Sequence, residues 1–272
     1  MVRTIIKTYV AITFLGVLGT ACRVQKLPAA QTIGRPFVTD GTLWGAMWQQ
    51  KASEYKALCF QAYNIAKFRL DQILQQPHNK PVAVVTDIDE TVLDNSPYAV
   101  HRALKDSAYS DESWMTWTAK MDCDTVPGAL SFFNYAFAKG VRVFYITNRL
   151  EAERSTTLKN LQHWGFPDLT DDHLFLKQSV SGKEERRSIV AKEHEIVLLF
   201  GDNLSDFSAV FDKQPFPERD RRVIDNASMF GEKFIVLPNT SYGDWEGALY
   251  NFNYNLTPQA KDSVILQQLK TY

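Results

Sequence analysis

Cysteine is scarce in this sequence. The chain has three in 272 residues, Cys22, Cys59 and Cys123, too few and too scattered for a disulfide scaffold, and no CxxC or Cys/His spacing marks a zinc site. Excess charge of one sign is also missing. Lys and Arg number 30 against 31 Asp and Glu, a formal charge of -1, so there is none of the cationic field with which nucleic-acid binders displace counterions. A nucleic-acid polymer is not an expected partner. The sequence has no internal repeat and no low-complexity segment. An apolar run of the roughly 20 residues needed to span a membrane as a helix is absent. What remains, 45% hydrophobic and 22% charged, is a globular chain with material for one domain with a sizeable core, or two small ones.

The N-terminus reads as an address. Arg3 and Lys7 are followed by a short apolar run over residues 9–18 and by the small residues Gly19, Thr20 and Ala21 just before Cys22. That is the layout of a secretory signal peptide over 1–21. The small-residue site ending on cysteine resembles a bacterial lipoprotein lipobox, with Cys22 lipidated and first in the mature chain; Gly19 stands where such boxes usually carry Leu. The alternative is a plain signal peptide that happens to end near a cysteine. Export and membrane anchoring are therefore expected, and Arg23 after Cys22 is compatible with sorting to the outer membrane. Cleavage removes two basic and no acidic residues, taking the formal charge from -1 to -3. Residues 22–39, with Pro28, Gly34 and Pro36 and no apolar period, predict a tether. In an oxidising compartment Cys59 and Cys123 either pair or remain as buried thiols.

Beyond the tether, apolar residues recur at three and four spacing over 43–74 and stop at Pro77, which predicts a long amphipathic helical region. Residues 81–86 form a short β-branched run of the kind buried on both faces of a parallel sheet. Similar runs follow at 141–146, 196–200 and 234–237, with a weaker one at 173–176. Helical patterns lie between them at 127–139, 151–164 and 183–194, the first two closed by Gly140 and Gly165. This alternation predicts an α/β fold with a doubly wound parallel sheet. Residues 94–126 interrupt the rhythm with a polar, aromatic, partly helical stretch. Inserted after the first strand, they sit over the carboxyl end of the sheet, where open α/β sheets bind ligands. They are a candidate lid.

Three of these strands end in polar residues: Asp87 and Asp89, Thr147 and Asn148, and Asp202 and Asp206. Such groups converge on one crevice, although Asp, Asn and Thr are also ordinary turn residues. Clustered carboxylates repel one another unless a cation sits among them, and an all-oxygen set suits Mg²⁺.

The string VVTDIDETVLDNSPY over 84–98, together with IVLLFGDNLSDF over 196–207, resembles the paired signature of the class C nonspecific acid phosphatases. These are bacterial lipoproteins, of the lipoprotein e type, within the haloacid dehalogenase (HAD) superfamily. The resemblance runs over about 40–260 in motif order. Plant vegetative storage proteins are similar but can lack the nucleophilic aspartate, which is kept here as Asp87. The resemblance implies a HAD-like Rossmannoid core with a small, mainly helical cap from about 40–76 and 94–126, all within a domain of 40–272. It implies that Asp87 is the nucleophile and Asp89 the acid and base. Mg²⁺ is then held by Asp87, the Asp89 backbone carbonyl and Asp202, with Asp206 ordering its shell. Thr147 and Asn148 bind phosphoryl oxygens by the same pattern. Lys183, at the start of a predicted helix, matches the family's site lysine, with Lys177 as its competitor.

Trp114 and Trp117 in the candidate lid, and Tyr242 and Trp245 after the last strand, are candidates for a slot that stacks a flat ring. The resemblance implies nucleoside and nicotinamide monophosphates as substrates, hence a small-molecule phosphomonoester as partner and a 5'-nucleotidase-like acid phosphatase. Two other possibilities remain open: phosphotransfer to an alcohol on the same site, and a lipid-anchored protein that binds without turnover. The oligomeric state is open as well, a homodimer included.

Overall fold

The computed structural model describes residues 36–272. The signal segment, Cys22 and most of the tether lie outside the described residues. Five strands form one parallel sheet: β1 (Val82–Thr86), β4 (Arg142–Leu150), β5 (Leu174–Lys177), β6 (Glu195–Gly201) and β7 (Phe234–Val236). Their order is β5-β4-β1-β6-β7, with β1 central and paired in parallel to β4 and β6. This is the doubly wound α/β arrangement the sequence predicts. Both faces of β1 are covered, because alternate residues point to opposite sides of a strand. Val82 and Val84 join the core built on one face with Tyr63, Phe133 and Phe200. Ala83 and Val85 join the other, with Val190, Phe207 and Phe211.

The intervening helices are α5 (Ala129–Ala138), α6 (Arg154–Trp164), α7 (Glu184–Glu193) and α8 (Phe216–Asp225). Gly165 closes α6 in the left-handed region at φ 79°, a conformation glycine adopts without a Cβ clash. β4 runs four residues past the apolar run that predicts it. Leu150 pairs with Lys177 of β5 after an irregularity, so Thr147, Asn148 and Arg149 belong to the strand.

The predicted helical region over 43–74 is two helices, α1 (Phe37–Lys51) and α2 (Ser53–Ile73). Ala52 breaks them with an extended backbone at ψ 126°. Residues 37–39, assigned to the tether from their composition, are instead the first turn of α1. An Asp262 carboxylate accepts the Phe37 and Val38 N–H groups at 2.7 and 2.8 Å, supplying the capping that the helix's own residues lack. α2 corrects the predicted cap boundary. Its buried face, Tyr55, Cys59, Tyr63, Ala66 and Leu70, is a layer of the main core, so the stretch 40–76 is not cap throughout.

The insertion forms α3 (Ser96–Leu104) and α4 (Asp111–Thr118). Its base is closed by a two-residue antiparallel ladder, β2 (Leu93–Asp94) against β3 (Asp124–Thr125), too short to leave a strand pattern in the sequence. After β7 come α9 (Asp244–Leu249) and α10 (Pro258–Leu266). Cys59 and Cys123 are both buried free thiols.

Candidate active site

β1 ends at Thr86, and the chain continues through Asp87, whose N–H donates to the Phe200 carbonyl at 3.0 Å. The nucleophile candidate is thus held by an extension of the sheet ladder. Beyond Asp89, Glu90 turns the chain with a positive φ of 58°. Its buried carboxylate accepts the Asn95 N–H at 2.8 Å and the Tyr242 hydroxyl. Burial, with Asp89, Asp202 and Asp94 nearby, keeps the Glu90 carboxyl well above the usual carboxylate range. Through these two hydrogen bonds Glu90 braces the turn.

At the end of β6, Asp202 and Asp206 approach Asp87, and one carboxylate oxygen of each of the three lies within 4.8 Å of the others. Asp202 is held by the Asn239 side-chain amide at 2.8 Å. Asp206 closes a single 3₁₀ turn, Leu204–Asp206, and accepts the Asn203 N–H at 3.0 Å. Lys183, capping the start of α7, is buried between two of these carboxylates. Its ammonium pairs with Asp87 and lies 2.7 Å from Asp206. Burial works against the ammonium, but Asp206 and Asp87 outweigh it and hold the proton more firmly than usual.

Burial pushes the Asp87 carboxyl up; Lys183 opposes the rise, and Asp206 and Asp89 add to it. Asp202 rises for the same first reason, with Asp206 and Asp87 next. At an effective dielectric of about 20, each like-charged pair at this separation costs roughly 3–4 kcal/mol. With all three carboxylates ionised, one lysine leaves two negative charges over, which a divalent cation would balance. Its all-oxygen donor set fits Mg²⁺ by type. The side chain of Asp89 is not part of this cluster.

Asp89 faces the other way, toward β4. Arg149 donates to it from Nη2 at 2.7 Å and from Nε at 3.1 and 3.2 Å, and Asn95 donates from Nδ2 at 2.9 Å. Arg149 is fully buried. Sequence analysis missed it, because the apolar run of β4 ends before it. An arginine directly after the polar strand end Thr147-Asn148 was the available signal, since a buried guanidinium needs a carboxylate. Thr147 is buried beneath the site, its hydroxyl 3.4 Å from Asp89. Asn148 lies on the cavity wall and accepts from Arg186 Nη2 at 2.8 Å.

Trp114 and Tyr242 line the same cavity as Asp87 and Asp89. The other two aromatic candidates do not. Trp117 packs on the core and donates to Asn95 at 2.8 Å, while the exposed Trp245 donates to the Tyr242 carbonyl at 3.0 Å. Both indoles hold neighbouring groups in place. Lys177 reaches the cavity wall, but Lys183 is the lysine paired with the carboxylates.

The family model of the HAD superfamily, subfamily IIIB (Acid phosphatase), matches residues 19–245. The chain belongs to this acid phosphatase subfamily. A class C acid phosphatase from Bacillus anthracis superposes on the subfamily IIIB chain with a TM-score of 0.83 and 42% identity, covering 86% of this chain and 99% of that one. A second structure of that enzyme, with tungstate bound, superposes equally well at 42% identity, covering 86% of this chain and 98% of that one. Acid phosphatase 1 of Solanum lycopersicum is 31% identical over 130 residues, 45% of this chain and 50% of its own length. The stem 31 kDa glycoprotein of Glycine max is 26% identical over 164 residues, 58% of this chain and 62% of its own. The match thus spans between half and two thirds of these curated relatives.

One residue of this phosphatase-family site has a sharp steric requirement. A Cβ built on Gly201 meets the Asp206 side chain at 2.3 Å, so Gly201→Ala must drive that carboxylate out of position. Steady-state kinetics on Gly201→Ala should show kcat/KM lowered by about 10²-fold, the scale of an ångström-sized misplacement, with the circular dichroism spectrum retained. Unchanged kinetics show that the position of Asp206 is not required.

Proposed function

We propose that this chain is a metal-dependent phosphomonoesterase that works through an aspartyl-phosphate on Asp87, with nucleoside or nicotinamide monophosphates as its substrate class. The observation that carries the proposal is the cluster of Asp87, Asp202 and Asp206 around Lys183, beside an Asp89 gripped by Arg149. Asp87, Asp202 and the Asp89 backbone carbonyl are the residues to hold Mg²⁺, with Asp206 ordering its shell. When bound, the ion neutralises charge on the phosphoryl oxygens and on the attacking carboxylate.

The chain's own residues do the rest. An Asp87 oxygen forms a bond to phosphorus as the bond to the leaving alkoxide oxygen breaks. Asp89 gives that oxygen its proton. Asp89 then takes a proton from water, whose oxygen attacks phosphorus and releases Asp87 and inorganic phosphate. Arg149 aims Asp89, Lys183 attracts the phosphoryl oxygens, and Asn148 lies where it can orient them. Trp114 and Tyr242, on the wall of the same cavity, offer faces for an aromatic leaving group. Tungstate binding by the Bacillus anthracis relative supports recognition of a tetrahedral oxyanion.

Removal of the metal tests the proposal directly. Phosphate release from a nucleoside monophosphate should fall to background after chelation and return on addition of Mg²⁺. Full activity in the presence of excess chelator overturns the metal dependence. The leader sequence and Cys22 support export and a lipid anchor, with outer-membrane placement as part of the proposal. Metabolic labelling with radioactive palmitate should mark the protein and not its Cys22→Ser variant; an unlabelled wild type removes the anchor.

A further inference from the structure

The cavity above Asp87 is about 600 Å³, room for a whole small molecule and far more than one phosphoryl group fills. Its wall away from the reacting atoms is built from α1, α3 and α10, and α1 packs against both of the others. Arg102 of α3 and Lys261 of α10 stand on this wall.

Neither cation has an ion-pair partner within 4.0 Å among the described residues. The Nε of Arg102 is buried without a hydrogen-bond partner. Aromatic faces hold both side chains without neutralising them. The Arg102 guanidinium lies 5.5 Å from the Tyr98 ring centroid, and the Lys261 ammonium 4.7 Å from that of Tyr250. Glu246 on the same wall accepts the Tyr250 hydroxyl at 3.1 Å and lies within electrostatic reach of both cations without closing to an ion pair, while Asp106 accepts the Thr39 hydroxyl at 3.2 Å.

We infer that Arg102 and Lys261 form a second anion subsite, and that the preferred substrate carries a second phosphate on its leaving group, as a nucleoside bisphosphate does. The inference rests on the phosphomonoesterase proposal above. Arg102, on the cavity wall, offers its terminal Nη groups to phosphate oxygens, and Lys261 adds a point charge. Trp114 and Tyr242, in the same cavity, are placed to hold the ring that joins the two anions.

The test compares adenosine 5'-monophosphate with adenosine 3',5'-bisphosphate, reading 5'-phosphate release by identifying the nucleoside product. Wild-type kcat/KM should be about 10-fold or more higher for the bisphosphate, the scale of one charge-assisted hydrogen-bond pair, and the ratio should shrink with added salt. Arg102→Gln and Lys261→Ala should each bring the ratio toward one, and Arg102→Lys should keep part of it. Thermal melts establish that the variants are folded, and either variant suffices for the comparison. Equal kcat/KM for the two compounds in the wild type, or a ratio that neither variant moves, overturns the subsite while leaving the phosphatase proposal standing. No release from either compound or from 4-nitrophenyl phosphate overturns both.

Discussion

Asp87→Asn should abolish phosphate release, lowering kcat by about 10⁵-fold, as removal of a covalent nucleophile does, while the protein remains folded. The amide has nearly the same shape as the carboxylate and fits the same pocket, but it cannot form the acyl phosphate. Stability should not suffer in proportion. Asp87 is buried beside Asp206 and its carboxyl is pushed up chiefly by that burial, so its charged form is held at a cost. Because a raised carboxyl binds its proton more tightly folded than unfolded, this cost is present above the folded value and vanishes as pH falls below the unfolded one. Neutralising Asp87 relieves it, while the ion pair with Lys183 is lost. The two effects oppose each other, and the melting temperature should stay within a few degrees of wild type. Retained turnover in a folded Asp87→Asn protein sinks the mechanism.

The second large effect belongs to Asp89. In Asp89→Asn, turnover should fall by about 10²–10⁴-fold for esters with poor leaving groups such as glycerol phosphate, which need a proton to depart. 4-Nitrophenyl phosphate should behave differently, since nitrophenolate leaves unprotonated. The first half-reaction then survives and the second, which needs Asp89 as base, stalls. Rapid mixing should therefore show a burst of one equivalent of nitrophenolate followed by slow turnover. The absence of a burst argues against the acid and base role. The variant also strands Arg149, whose charge is buried and paired with Asp89. Loss of that partner costs up to about 3–5 kcal/mol, so the kinetics belong well below the melting temperature.

The acidic half of the site was legible because each aspartate pair follows an apolar strand, and parallel strands deliver their ends to one crevice. Lys183 was legible from its place at a helix start and from the family resemblance. Arg149 was not, because its partner lies sixty residues away, beyond the end of another strand, and the apolar pattern of β4 stops before it. The break at Ala52 carries no proline or glycine, and helical periodicity continues on both sides of it. Only tertiary packing, α1 against α3 and α10 and α2 against the sheet, separates the two helices. Aromatic residues were the least readable. Four tryptophan and tyrosine candidates have similar sequence contexts, yet Trp114 and Tyr242 face the cavity while Trp117 and Trp245 brace its surroundings. The polar atoms of Trp117, Trp245 and Tyr242 find partners far off in sequence or in the local turn, namely Asn95, the Tyr242 carbonyl and Glu90.

The central claim is a covalent phosphoryl group on Asp87, and the stalled Asp89→Asn protein offers the means to see it. Full-length protein is mixed with 4-nitrophenyl phosphate carrying a radioactive phosphoryl group, quenched in acid during the burst and digested. The account predicts label on the peptide containing Asp87, lost on treatment with hydroxylamine as acyl phosphates are, and absent from Asp87→Asn. A nitrophenolate burst with no label on that peptide, or label on another residue, contradicts it.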